Sequence, residues 1–95
     1  MTVNELLLTT LAEECVETAQ RVSKALRFGL EEVQEGQPFN NAQRITYEFN
    51  DIVAMMQILQ ERGLLARVLD LPAIKLKKEK VAKYIQYSIE CGTVQ

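Results

Sequence analysis

The sequence predicts an all-α protein whose amphipathic helices form a four-helix-bundle-like core completed by dimerisation. Three observations carry this expectation. Apolar residues recur at helical spacing in three separate segments, helix-capping residues open the first two, and no stretch shows the two-residue alternation of a strand. With 95 residues, 47% of them apolar and 25% charged, the chain has the composition of one ordinary globular domain spanning residues 1–95. Each helix carries an apolar arc too wide for so short a chain to cover, and a two-fold dimer would turn two incomplete layers into a complete bundle.

The first helix opens at Thr2, with Glu5 three residues later to close a capping box. Leu8, Leu11, Cys15, Ala19, Val22 and Leu26 fall in one arc, flanked by Leu7, Ala12, Val16 and Ala25, and this arc is the expected core face. Gly29, Gly36 and the Gln37-Pro38 step break the pattern, so the helix ends near Phe28 and a short helical turn is expected over residues 30–34. A second helix starts at Asn40 or Asn41, with Gln43 reaching back, and runs to about Arg62 before Gly63. Its apolar arc is Ala42, Ile45, Phe49, Ile52, Val53, Met56 and Leu59, with Phe49 at the centre. Residues 64–71 suggest one or two further turns. A third helix begins around Pro72 and passes through Ile74, Val81, Ile85 and Ile89 to a stop at Gly92.

Composition also excludes chemistry. No histidine is present, which removes Ser-His-Asp and Cys-His nucleophiles, imidazole haem ligation and every zinc site built with His. Cys15 and Cys91 form no C-x-x-C pair and read as small buried apolar residues. A net charge of −2 argues against a general nucleic-acid coat. No apolar run approaches the roughly 20 residues of a membrane span, and no secretory leader pattern opens the chain, so the expected location is cytoplasmic, with no membrane partner.

The placement of the acids is the informative signal. Glu13, Glu14 and Glu17 lie on the first helix and Glu48 and Asp51 on the second, at i,i+3 and i,i+4 spacings that project them from one side of each helix. A solvated face, with Glu17 paired to Arg21, is one reading. Met55 and Ile58 flank Asp51, however, and carboxylates at the margin of an apolar groove are costly to desolvate unless a cation, hydrogen bonds or protonation offsets the cost. Carboxylates without imidazole or thiolate suit a hard cation such as Mg2+. A di-iron helical bundle would need histidines, and no EF-hand loop spacing occurs.

The pattern Glu13-Glu14-x-x-Glu17 followed by Glu48-x-x-Asp51 resembles the MazG-like, all-α nucleoside triphosphate pyrophosphohydrolases. The likeness extends from the segment Leu11-Ala12-Glu13-Glu14-Cys15-Val16-Glu17, through Glu48-Phe49-Asn50-Asp51, to Lys80-Val81-x-Lys83-Tyr84. The resemblance implies Mg2+-dependent hydrolysis of (deoxy)nucleoside triphosphates to a monophosphate and pyrophosphate, as a house-cleaning activity on nucleotide pools. It also implies a homodimer or tetramer. Carried over residue by residue, Glu14, Glu17, Glu48 and Asp51 would hold the metal, and Glu13, with Glu17, would serve the catalytic step by holding a second ion or orienting water.

A triphosphate also needs cationic partners. Arg21, Lys24 and Arg27 follow the acids on the first helix, and Lys77, Lys80 and Tyr84 form an i, i+3, i+7 row on the third. Either set also reads as an ordinary wet helix face. The resemblance favours Lys80 and Tyr84 as substrate contacts, with Arg21, Lys24 and Arg27 as further candidates. Two alternatives stand beside this expectation: a phosphoribosyl-ATP pyrophosphohydrolase, and a non-catalytic helical interaction module whose Lys-rich third helix binds an acidic partner.

Overall fold

Helix signals dominate the sequence and the computed structural model, which describes residues 1–95, contains three helices and no strand: α1 Val3–Phe28, α2 Asn41–Glu61 and α3 Leu71–Glu90. Both expected capping boxes form. Thr2 accepts from the Glu5 amide while Glu5 accepts from the Thr2 amide, and Asn40 and Gln43 do the same at α2. The start of α3 uses a cap missed in the sequence: Asp70 Oδ1 accepts from the Ala73 amide at 3.1 Å. Gly63, at φ 79°, supplies the left-handed residue after α2 that a side chain would resist.

Two expected helical turns are absent. Residues 30–34 form a turn and irregular chain because the Leu30 and Glu32 carbonyls accept from the Ala42 and Asn41 amides, at 3.0 and 3.1 Å. Those acceptors satisfy the exposed amides at the start of α2, so they are not available to a helical turn of their own. Residues 64–70 are also irregular, bounded by the Gly63 stop and the Asp70 cap, and Leu71 already belongs to α3.

The α1 and α2 helices pack together as a hairpin; the covered stripe on α1 is rotated from the expected arc, whereas on α2 Ile45, Ile52, Val53, Met56 and Leu59 of the expected arc are covered. On α1 the covered row is Leu7, Leu11, Glu14, Thr18, Arg21 and Ala25; on α2 it is Asn41, Ile45, Glu48, Ile52, Met55 and Leu59. Both rows step by four and three residues in turn, the spacing of a narrow seam between two helices. Ala25, Asn41 and Leu59 are buried and the other members half-buried. Thr18 fits this seam because its hydroxyl donates to the Glu14 carbonyl at 2.9 Å.

The expected core arcs therefore hold at Leu11 and over most of α2 and are corrected at the remaining positions. Leu8, Cys15, Ala19, Val22 and Leu26 remain exposed on α1, as do Ala42 and Phe49 on α2, with Phe49 53% exposed. One neighbouring helix covers a stripe, and these arcs are wider than a stripe. Cys15 and Cys91 are both exposed free thiols and not the buried residues expected.

Helix α3 packs against neither α1 nor α2, and none of its residues is buried. The Cα radius of gyration is accordingly 16.8 Å, against about 12 Å for a compact chain of this length. No helix is long and apolar enough to cross a membrane.

Candidate metal centre

The seam between α1 and α2 is interrupted midway by acids. Glu14 and Glu48 occupy stripe positions that would ordinarily be apolar, and Glu17 stands beside them one turn along α1. One carboxylate oxygen from each of Glu14, Glu17 and Glu48 lies within 4.8 Å of the other two. Asp51 is exposed and outside this triad, yet near enough for its charge to act on both Glu14 and Glu48.

Two features distinguish the triad from a solvated acidic face. Glu14 Oε2 and Glu48 Oε2 are enclosed and accept no hydrogen bond. No cationic side chain pairs with the triad either: the one salt bridge in the structure, Arg67 with Asp70 at 3.9 Å, lies elsewhere, so the Glu17–Arg21 pairing weighed above does not form. Burial pushes the Glu14 carboxyl above the ordinary carboxylate value, and the charges of Glu17, Asp51 and Glu48 push it further. Glu48 is raised by burial first and then by Glu17 and Asp51, with Arg21 acting weakly in opposition.

Arg21 completes the neighbourhood in an unusual way. Its Nη1 is also enclosed and without a partner, although its charge reaches Glu48. The seam therefore holds unsatisfied acceptors and an unsatisfied cationic donor side by side, a combination that costs free energy until a ligand meets both. Oxygen donors alone, in a cluster of this size, suit a hard divalent cation, and the enclosed oxygens of Glu14 and Glu48 fit such an ion.

Beyond Arg21 the same side of α1 leads to a cleft of about 210 Å3, lined by Lys24, Phe28, Glu32, Gln34 and Asn41. Asn41 is fixed there, its Nδ2 donating to the Gly29 carbonyl at 2.8 Å and to Glu32 Oε1 at 2.9 Å. Arg27 is exposed near the end of α1 and does not line the cleft. Glu13 is exposed on the outer side of α1, where it shares a shallow recess with Thr9, Ala12, Val16 and Glu17 and takes no part in the triad.

The third-helix candidates are not brought to this site within one chain. Lys80 Nζ lies 5.8 Å from the centre of the Tyr84 ring, so the two contact each other on exposed α3, which does not touch the hairpin. Asn41 anchors the loop beside the cleft, a role whose only sign in the sequence is a second Asn after the N-cap, where one was sufficient. No protein-family model, curated protein or solved structure matches this chain.

Proposed function

We propose that the α1–α2 seam is the active site of a magnesium-dependent nucleotide pyrophosphohydrolase acting on (deoxy)nucleoside triphosphates. The observation that carries this reading is the presence, in one seam, of two orphaned carboxylate oxygens, on Glu14 and Glu48, and the orphaned guanidinium nitrogen of Arg21. A bare cation would satisfy the first and leave the second, and a bare phosphate would do the reverse. A magnesium nucleotide brings cation and anion together.

In this reading Glu14, Glu17 and Glu48 would hold the metal, with the charge of the neighbouring Asp51 adding to the site. Bound there, the ion would polarise phosphoryl oxygen and lower the pKa of water. The side chains of the protein do the rest. Arg21 donates to a phosphate oxygen, and Lys24 lies one turn further on, at the mouth of a cleft large enough for part of a nucleoside. Glu17, exposed at the edge of the triad, accepts the proton of the attacking water. Water adds to the α-phosphorus, the bond to the bridging oxygen breaks, and pyrophosphate leaves. Lys80 and Tyr84 contact the substrate only if another chain delivers them, in keeping with a homodimer or tetramer. The role implied is house-cleaning of nucleotide pools in the cytoplasm, where the substrate and magnesium coexist.

Pyrophosphate release from a panel of ribo- and deoxyribonucleoside triphosphates, with magnesium and with EDTA, tests the reading. Wild-type turnover should require magnesium and fall by at least about a hundredfold in Glu48→Gln. Release from phosphoribosyl-ATP alone would select the related hydrolase, and no release from any substrate would leave a helical interaction module. The freedom of α3 is the observation that favours this last alternative.

A further inference from the structure

The cleft at the end of the hairpin continues the line on which the acids lie. Glu17, Arg21, Lys24 and Phe28 follow one another on α1 at steps of four, three and four residues, so they share one side of the helix. From Glu17 to Phe28 the axis rises about 16 Å. Phosphates at the triad and a base in the cleft can therefore belong to one extended nucleotide, with Arg21 and Lys24 between them.

The hydrogen bonds around the cleft fix which of its atoms donate and which accept. Asn41 Nδ2 commits both of its hydrogens, to the Gly29 carbonyl at 2.8 Å and to Glu32 Oε1 at 2.9 Å, so the Asn41 amide has only its oxygen left to offer. Glu32 keeps a second oxygen, Oε2, that Asn41 does not occupy. Neither free oxygen is enclosed, unlike those of Glu14 and Glu48, so both are open to a ligand. Gln34 is held the other way round: its Oε1 accepts from Arg44 Nη1 at 3.0 Å, which leaves Nε2 to donate. Lys24 makes no ion pair and also donates. Phe28, 59% exposed, is the one apolar side chain of the lining and offers a ring face. Asn41 is buried and Glu32 half-buried, whereas Gln34 is exposed, so the acceptors stand on the more deeply placed residues.

We infer that this cleft recognises guanine, so that (deoxy)guanosine triphosphates are the preferred substrates. The bond between Asn41 and Glu32 sets two free acceptor oxygens on neighbouring groups. Among the common bases only guanine presents two donor atoms side by side, its ring N–H and its exocyclic amino group, next to an accepting carbonyl. Adenine and cytosine place a single amino donor beside an acceptor nitrogen, and uracil and thymine place one N–H between two carbonyls. With any of these, the two oxygens must share one donor atom or face an acceptor. Guanine donates to both, the bond to Glu32 being charge-assisted, while its carbonyl accepts from Lys24 and its ring stacks on Phe28. The inference rests on the nucleotide reading of the seam, which supplies the phosphate end of the ligand.

Magnesium-dependent pyrophosphate release from dGTP, dITP, dATP, dCTP and TTP tests the inference on the wild-type chain, dITP being the guanine substrate without its exocyclic amino group. The kcat/KM for dGTP should exceed that for each of the others by at least about tenfold. Glu32→Gln should bring dGTP down to the level of dITP, because glutamine has one acceptor oxygen and Asn41 Nδ2 already occupies it. Similar rates on all the substrates would overturn the inference and leave the nucleotide reading standing. A Glu32→Gln chain that keeps its helices by circular dichroism and still prefers dGTP would do the same. A second arm needs neither metal nor turnover: GMP, IMP and AMP are titrated in EDTA while the side-chain amide signals of Asn41 and Gln34 are followed by NMR. GMP should shift both signals at a concentration at least about fivefold lower than IMP or AMP. That preference in a chain that hydrolyses nothing would remove the active-site reading and keep the guanine cleft, whereas equal or absent shifts in such a chain would overturn both.

Discussion

Helices α1 and α3 are built on the same plan, an apolar stripe edged by charge, yet one has a partner within the chain and the other has none. Loop chemistry makes the difference. The link from α1 to α2 is held at both ends, by the Leu30 and Glu32 carbonyls on the first amides of α2 and by Asn41 on Gly29 and Glu32, so it returns the chain onto α1. No hydrogen bond joins residues 65–70 to the hairpin, whose last links are Arg62 Nε donating to Asn4 Oδ1 at 2.8 Å and the Leu64 amide donating to the Leu59 carbonyl at 2.9 Å. Amphipathicity thus requires that a face be covered, and the connecting loop decides whether the cover comes from the same chain.

The largest effect should come from the one fully enclosed apolar side chain. Leu59→Ala should cost about 2–5 kcal/mol in urea unfolding, at any protein concentration, because Leu59 is buried within a single chain. The matching truncation on α3, Ile85→Ala, should cost little in dilute protein and progressively more as association sets in. Equal and concentration-independent losses at both sites would break the contrast between hairpin and helix.

A smaller loss is expected at the loop. Asn41→Ala removes both side-chain donations and leaves the Gly29 carbonyl without that partner, which should cost about 1–3 kcal/mol and accelerate amide hydrogen exchange over residues 29–41. Exchange in α3 should not change, since no contact connects the two regions.

The smallest effect carries the opposite sign. Glu14 and Glu48 hold their protons more tightly in the folded chain than in the unfolded one. Their contribution to the stability of the metal-free protein is therefore fully present below pH 4.5, the ordinary value, and is lost as pH rises through the raised values. Glu48→Gln removes one of these charges, so at pH 7 the metal-free variant should melt about 2–4 °C above the wild type. Magnesium should raise the wild-type midpoint and leave that of the variant nearly unchanged. A variant that melts lower without metal would show that the Glu48 carboxylate is satisfied within the hairpin.

The helices themselves were legible because local chemistry makes them: Thr2 with Glu5, Asn40 with Gln43, and Gly63 all act within a few residues. The acids of the site were legible as a spacing. Their burial was concealed, because counting apolar residues placed the core on Leu8, Cys15, Val22 and Phe49, whereas the seam runs through Glu14, Thr18, Arg21, Asn41 and Glu48. The four-and-three step of that seam was present in the sequence, but polar residues stand at half of its central positions, so an apolar count passed over it. Arg21 looked like a phosphate ligand or a partner for Glu17, and only the packed helices show its nitrogen enclosed and unpaired.

By itself the sequence determined three helices, their limits to within a residue or two, and two acidic clusters, each the product of hydrogen bonds and periodicity local to the chain. Tertiary structure decided which edge of each wide apolar arc is used, and thereby that Glu14, Glu17 and Glu48 meet while Glu13, Lys80 and Tyr84 stand apart. The reason is geometric: a neighbouring helix covers only a narrow stripe, and a rotation of less than a quarter turn about the helix axis exchanges a carboxylate in the seam for one in water.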